Sequence, residues 1–388
     1  MRGRIFVTGL IFIAGLFPLA QCKSSKLSHL SFQPSRQHGL DNPAELETFL
    51  DGVMSAQLEI SHILGAAVSV VKDGKLFLAK GYGYADAAKT KPVDAFKTLF
   101  RIASVSKLFT CTAVMQLAEQ GKVNLNTDVN FYLKDIKIPE TYPEPVTLAH
   151  LMTHTAGFKT ELKIAGPRAK ELVPLREFLA STMPPRISPP GRVGAYSNAA
   201  ISLAGYVVAQ VSGMSWEDYV EENILKPLEM FQTTTRQPLP SHLVPDLSAG
   251  CVYSNGKFGA GEFEYQSHTP AASMSATAAD MAHFMIAHLQ GGRFKNNRIL
   301  KAATVQDMHL CHFSSDPKSN GMAYGFFVMD QNNQHIIGHT GVTGTFYSLL
   351  VLLPEHDVGL FVSVNTASGG MANEVLLKLF LDRYFFSS

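Results

Sequence analysis

Apolar positions recur at two different periods along this chain, and the changes of period mark its layout. Leu46, Phe49, Leu50, Val53 and Met54 repeat at helical spacing. They follow a start signal in which Asn42 caps, Pro43 takes the first helical position and Glu45 reaches back to the cap. Ala66 to Val71 and Lys75 to Tyr82 then flank Lys72-Asp73-Gly74, which predicts a hairpin. Thr345 to Leu353 and Val358 to Val364, joined by Pro354-Glu355-His356-Asp357, predict a second hairpin, and a helix from Asn373 to Phe386 follows it. The intervening pattern is mainly helical. Thr147 to His154 ends at Ala156-Gly157, Ala199 to Val211 ends at Gly213, and capping boxes open helices at Ser215 and at Thr277. A lone hairpin is marginal in water, so the two must share a sheet. The expected fold is α+β: an antiparallel sheet built from both ends of the chain and flanked by helices, with a mainly helical domain inserted. The sheet part covers about 42–100 and 265–388, the helical part about 101–264, and a cleft is expected at their boundary.

The stretch FRIASVSKLFTCTAVMQLAEQG, from Phe100 to Gly121, leads toward that cleft. Leu108, Cys111, Val114, Met115 and Ala118 predict an amphipathic helix, with Ser104 and Lys107 in its first turn. Side chains at that spacing share a face, with Cβ atoms roughly 5–6 Å apart. A serine hydroxyl is a poor nucleophile until a neighbouring base takes its proton, and a desolvated lysine can be that base. Unpaired N–H groups at the helix start also favour an oxyanion near Ser104. The plainer alternative is that Ser104 caps a buried helix and Lys107 reaches to solvent. Ser-x-x-Lys recurs at Ser254 to Lys257 and at Ser315 to Lys318, but Asn255-Gly256 and Asp316-Pro317 are turn dipeptides that keep those pairs off a common helical face.

Composition narrows the function classes. With 388 residues, 46% of them hydrophobic, the chain can bury a large core, and a formal net charge of +1 without basic blocks argues against a nucleic-acid partner. There is no HExxH, paired CxxC, P-loop or dinucleotide fingerprint, so neither metal nor cofactor is expected. Arg2 and Arg4 precede an apolar run from Ile5 to Ala20 that reads as a signal peptide over residues 1–21. Leu19-Ala20-Gln21-Cys22 resembles a bacterial lipobox, although Gln21 stands where a small residue is usual. It makes Cys22 the lipidation site, with plain secretion as the alternative. Residues 22–41 read as a flexible tether. The expected address is the cell envelope, with membrane contact only through that anchor. Cys111, Cys251 and Cys311 are odd in number and suggest no disulfide framework.

Two further stretches carry chemistry. Tyr196-Ser197-Asn198 follows a Pro-Pro-Gly loop and precedes a helix. The tyrosine could relay a proton and the asparagine could donate to a substrate carbonyl, or the pair could be a core tyrosine and a helix cap. Ile336 to Val342 reads as a strand with small residues on one side, an edge on which a substrate could lie. Taken alone, His339 is an ordinary polar residue at a strand end.

Together with TLAHLMTHTAGF from Thr147, PPGRVGAYSNAAISLAGYVV from Pro189, PAASMSATAADMAHF from Pro270 and GHTGVTGTFYSLLVLLPE from Gly338, these pieces resemble the serine β-lactamase and penicillin-binding-protein superfamily. The likeness is closest to its branch of class C β-lactamases, DD-carboxypeptidases and β-lactamase-like carboxylesterases. It runs from about Leu46 to Phe385. The resemblance implies Ser104 as nucleophile, Lys107 as its base, Tyr196 as proton relay and Asn198 as a substrate-orienting amide. It further implies an oxyanion hole from the N–H groups of Ser104 and Val342, and a substrate edge at His339, Thr340 and Gly341. The reaction implied is acyl transfer from an ester, amide or lactam. His154, Thr155 and Gly157 are read as a supporting loop.

One departure bears on the substrate, a small molecule or a peptide. Many relatives carry Lys-Thr-Gly where this chain has His339-Thr340-Gly341. An unperturbed histidine is mostly neutral at neutral pH, with a pKa of about 6.5, so it holds a substrate carboxylate less well than lysine. The expectation is an esterase or small-amide hydrolase with weak β-lactamase activity. A D-alanyl peptidoglycan carboxypeptidase and a non-catalytic penicillin-binding-like sensor are the alternatives.

Overall fold

The computed structural model describes residues 40–160, 172–315 and 320–385. The leader and Cys22 lie outside the described residues. The chain opens with α1 (Pro43–Ile60), then β1 (Gly65–Lys72) and β2 (Lys75–Gly83). Asn42 caps α1 by accepting from the N–H groups of Ala44 and Glu45. Glu45 does not turn back to the cap. Its carboxylate instead takes Arg383 and the Tyr384 hydroxyl, because the first and last described helices pack side by side. Leu40 and Asp41, read from sequence as tether, are docked as well: Leu40 is buried and Asp41 pairs with Lys72 at 2.8 Å.

The middle of the chain supplies α2 (Ser106–Glu119), α3 (Asn198–Ser212) and α4 (Ala278–Leu289). The remaining strands of the main sheet are β3 (Phe313–Ser314), β4 (Gly321–Met322), β5 (Phe327–Gln331), β6 (Gln334–Val342), β7 (Tyr347–Leu353) and β8 (Val358–Val364), and α5 (Gly370–Tyr384) closes the described chain. The sheet is antiparallel in the order β2-β1-β8-β7-β6-β5-β4-β3. The two hairpins read from sequence are therefore joined through β1 and β8, Ala66 opposite Val364. Strands β3 to β5 carry no strong alternation and escaped that reading.

Both faces of the sheet are covered, so its central strands are apolar at nearly every position rather than at every second one. Strand β8 shows the division: Leu360 and Val362 pack with α1 and α5, whereas Phe361 packs with α4 and the helical part. Asp73 and Gly74 turn the first hairpin with φ of 50° and 69°. Helix α2 departs from expectation. It is not amphipathic: every residue from Ser106 to Leu117 is buried, since other elements surround it on all sides.

Candidate active site

Ser104 does not sit in the first turn of α2 but in a tight 3₁₀ turn, Ala103–Val105, that runs into it. Ala103 has φ of 46°, an uncommon value for a residue with a Cβ. The turn is held by Ser106, whose Oγ donates to Ala103 O at 2.6 Å and accepts from Met274 N at 3.2 Å. Lys107 still lies beneath Ser104. Its Nζ donates to Ser104 Oγ at 2.9 Å and to Ala271 O at 2.9 Å, and its side chain is fully buried. The solvent-seeking alternative for Lys107 is thereby excluded. The carbonyl of Ala271 aims the amine, a role with no signature in sequence because a backbone atom performs it.

Tyr196 comes from the loop before α3. Its hydroxyl lies near that of Ser104, and Lys107 Nζ stands 4.9 Å from its ring centre. Burial pushes the phenol well above its ordinary range, so it stays protonated at neutral pH. The helix cap beside it is Ser197, which accepts from Ala200 N, not Asn198. Asn198 is the first residue of α3, and its Oδ1 is buried with no protein partner among the described residues.

The 154–157 segment supports this loop directly. His154 Nδ1 accepts from Ser197 N at 3.2 Å, and its ring lies 4.5 Å from that of Tyr196. Carbonyls of His154, Thr155 and Gly157 accept from Ala195, Gly191 and Ile187. A Cβ on Gly157 would come within 2.0 Å of Ser188 O, so the close approach requires glycine.

Strand β6 closes the other side. A Cβ on Gly341 would meet Ile102 O at 2.1 Å and Ser104 N at 3.3 Å, which puts the strand backbone directly against the Ser104 turn. Thr343 N donates to Phe346 O, and by the alternation of an antiparallel ladder Gly341 and His339 also face β7. The backbone N–H groups of Thr340 and Val342 then point to the opposite side. There β5 has already ended, because its first residue, Phe327, pairs with Gly338. This stretch is an open strand edge beside Ser104, and Thr340 and Val342 are exposed.

His339 is 1% exposed, and its ring packs 4.8 Å from Phe327 and 6.0 Å from Tyr196. Burial, with Lys107 nearby, pulls its pKa down to about 3. His268 is lowered to about 3 for the same reasons, with Arg101 adding to the repulsion. Both imidazoles are uncharged at neutral pH. Of the competing Ser-x-x-Lys patterns, Ser254 and Lys257 flank an exposed turn with Asn255 and Gly256 at φ of 50° and 77°. Ser315 is described without Lys318, which lies outside the described residues. Among the described residues no cluster of histidine, cysteine and carboxylate side chains suits a metal ion.

A two-sided antiparallel sheet with a serine, lysine and tyrosine gathered at its junction with a helical part is the architecture of the β-lactamase and transpeptidase-like class. The chain belongs to the beta-lactamase family, whose family model matches residues 50–379. It is similar to Protein flp of Staphylococcus aureus strain N315, 29% identical over 82% of this chain, and spans 63% of that protein's length. It is also similar to Penicillin-binding protein 4 of Amycolatopsis lactamdurans, 27% identical over 82% of this chain and 84% of the relative. Among solved structures, the octameric penicillin-binding protein homologue from Pyrococcus abyssi superposes with a TM-score of 0.73 at 22% identity, covering 88% of this chain and 77% of that one. SurE superposes with a TM-score of 0.74 at 21% identity, covering 89% and 77%.

Proposed function

We propose that this chain is a serine hydrolase that works through an acyl-enzyme on uncharged esters or small amides. The observation that carries the reading is the contact of Ser104 Oγ with Lys107 Nζ at 2.9 Å, with that buried amine 4.9 Å from the Tyr196 ring. Lys107 in its unprotonated form accepts the Ser104 proton as Oγ attacks the carbonyl carbon. The oxyanion forms between the N–H groups of Ser104 and Val342, both backbone donors that need no reorganisation. Tyr196, a phenol at neutral pH, passes a proton to the leaving group and later takes part in activating the water that releases the acyl group. Asn198 orients the substrate, which lies along the edge at Thr340 and Val342.

The uncharged His339 supports the choice of substrate. A cation at this position would hold a carboxylate, whereas a neutral imidazole in a dry setting does not. Weak turnover of β-lactams, which carry that carboxylate, follows. A second reading, a D-alanyl peptidoglycan carboxypeptidase, is favoured by the relative named Penicillin-binding protein 4. Release of D-alanine from a model peptide distinguishes it. Export and a lipid on Cys22 would place either enzyme in the cell envelope.

The first test is labelling with a fluorophosphonate and turnover of p-nitrophenyl acetate and a chromogenic cephalosporin, for the wild type and Ser104→Ala. Wild-type labelling, lost in the variant, with faster ester than cephalosporin turnover is the expected result. An unlabelled, inactive wild type would leave a non-catalytic binding protein, and a preference for the cephalosporin would overturn the substrate class.

A further inference from the structure

The two N–H groups assigned to the oxyanion come from segments far apart in sequence, and one residue ties those segments together. Glu264 lies in the 261–268 stretch between them. Its backbone carbonyl accepts from Arg101 Nη1 at 2.8 Å, and Arg101 is three residues before Ser104. Its carboxylate Oε1 accepts from Gly344 N at 2.6 Å, and Gly344 is two residues after Val342. Glu264 thus holds the approach to Ser104 with its main chain and the end of β6 with its side chain.

The anchor is stiff on both sides. Arg101 is 2% exposed, stacks 4.3 Å from the Phe263 ring and donates through Nη2 to Gln237 Oε1. Gln237 in turn accepts from Gln266 N at 3.0 Å, which fixes the same stretch a second time. Across from it, a Cβ on Gly344 would lie 2.5 Å from Glu264 Oε1, so the carboxylate seats directly on the glycine backbone. A backbone N–H donating to a carboxylate makes a stronger bond than one donating to a neutral acceptor. The bond acts on the turn Thr343–Phe346, whose position sets the direction in which Val342 N points.

We infer that Glu264 is a positioning residue that sets the spacing of the Ser104 and Val342 N–H groups and so tunes the oxyanion hole. The inference rests on the serine-hydrolase reading, and its test separates the two. Hydrolysis of p-nitrophenyl acetate is compared with that of its thiono counterpart in the full chain, for the wild type, Glu264→Ala, Glu264→Gln, Glu264→Asp and the exposed neighbour Glu262→Ala. A tight hole discriminates against the larger, poorer-accepting sulfur, so loosening it narrows the ester-to-thionoester ratio.

In Glu264→Ala, kcat for the ester should fall about 30-fold and kcat for the thionoester no more than about 3-fold, with KM little changed. Glu264→Gln keeps an oxygen for Gly344 N and should stay within about 3-fold of wild type. Glu262→Ala should match the wild type. If Glu264→Ala does not fold, Glu264→Asp, which keeps the charge but withdraws it by one methylene, carries the same readout. An unchanged ratio in a folded variant, with both substrates slowed equally, would overturn the inference and leave Glu264 a purely structural residue. A wild type that hydrolyses neither substrate would overturn the reading on which it rests.

Discussion

The Ser104–Lys107 segment and the 339–342 end of β6 face each other across one cleft, yet they are built in opposite ways. The first is enclosed: α2 is buried through Leu117, and Lys107 is packed without any exposed surface. The second is an open strand edge, with Val342 45% exposed and Thr340 exposed beside it. Enclosure suits the groups proposed to exchange protons, because low dielectric strengthens their mutual interactions and excludes competing water. An open edge suits the proposed recognition of substrate, because its backbone donors face away from the neighbouring strand. The difference predicts that damage on the enclosed side removes chemistry, while damage on the open side changes selectivity and spacing.

The largest effect should come from Lys107→Met. A near-isosteric apolar side chain removes the base and relieves the burial of an amine, so kcat should fall about 10³-fold or more while thermal stability holds or rises. A melt that collapses together with activity would instead make Lys107 a structural residue. Gly341→Ala comes next. Its Cβ would run into Ile102 O, pushing β6 away from Ser104 N and lowering kcat about 10²-fold, measured on the same ester. Wild-type rates in that variant would break the proposed pairing of Ser104 and Val342 N–H groups.

His339→Lys sharpens the comparison from the recognition side. The ratio of cephalosporin to ester turnover should rise about 10-fold as a cation returns to the edge, at some cost in stability from a second buried amine near Lys107. A separate effect falls on stability against acid, not on turnover. The folded-state pKa of His339 is about 3, well below the ordinary value, so the unfolded chain binds its proton first as pH falls. Its contribution is fully present above about pH 6.5 and is lost progressively toward pH 3, amounting to about 2 kcal/mol by pH 5. His339→Asn should make the loss of unfolding free energy between pH 7 and pH 5 shallower by about that amount in denaturant titrations.

Much of the frame was legible because it rests on local chemistry. Asn42, Ser215 and Thr277 each accept from a backbone N–H two or three residues on, as their spacing implies. The hairpins follow from turn residues and apolar runs. Other features depend on contacts that no short window contains. Glu45 chose Arg383 and Tyr384 over its own cap, which only the packing of α1 against α5 makes available. The tight turn at Ala103, the Ala271 carbonyl on Lys107 and the Glu264 bond to Gly344 all join stretches that are distant or locally featureless. The short strands β3 and β4 hold their place by pairing, and two residues of pattern cannot announce it.

By itself the sequence determined that a hydroxyl and an amine stand three residues apart at the start of an apolar helix, and that strands from both chain ends must share a sheet. Spacing and apolar periodicity are local properties, and the backbone converts them directly into geometry. Whether Lys107 faced solvent or Ser104, whether Tyr196 came beside the same pair and how far burial would push His339 from its ordinary pKa were decided only by tertiary structure. Those outcomes depend on desolvation and on partners from distant segments, and both exist only once the chain has closed around them.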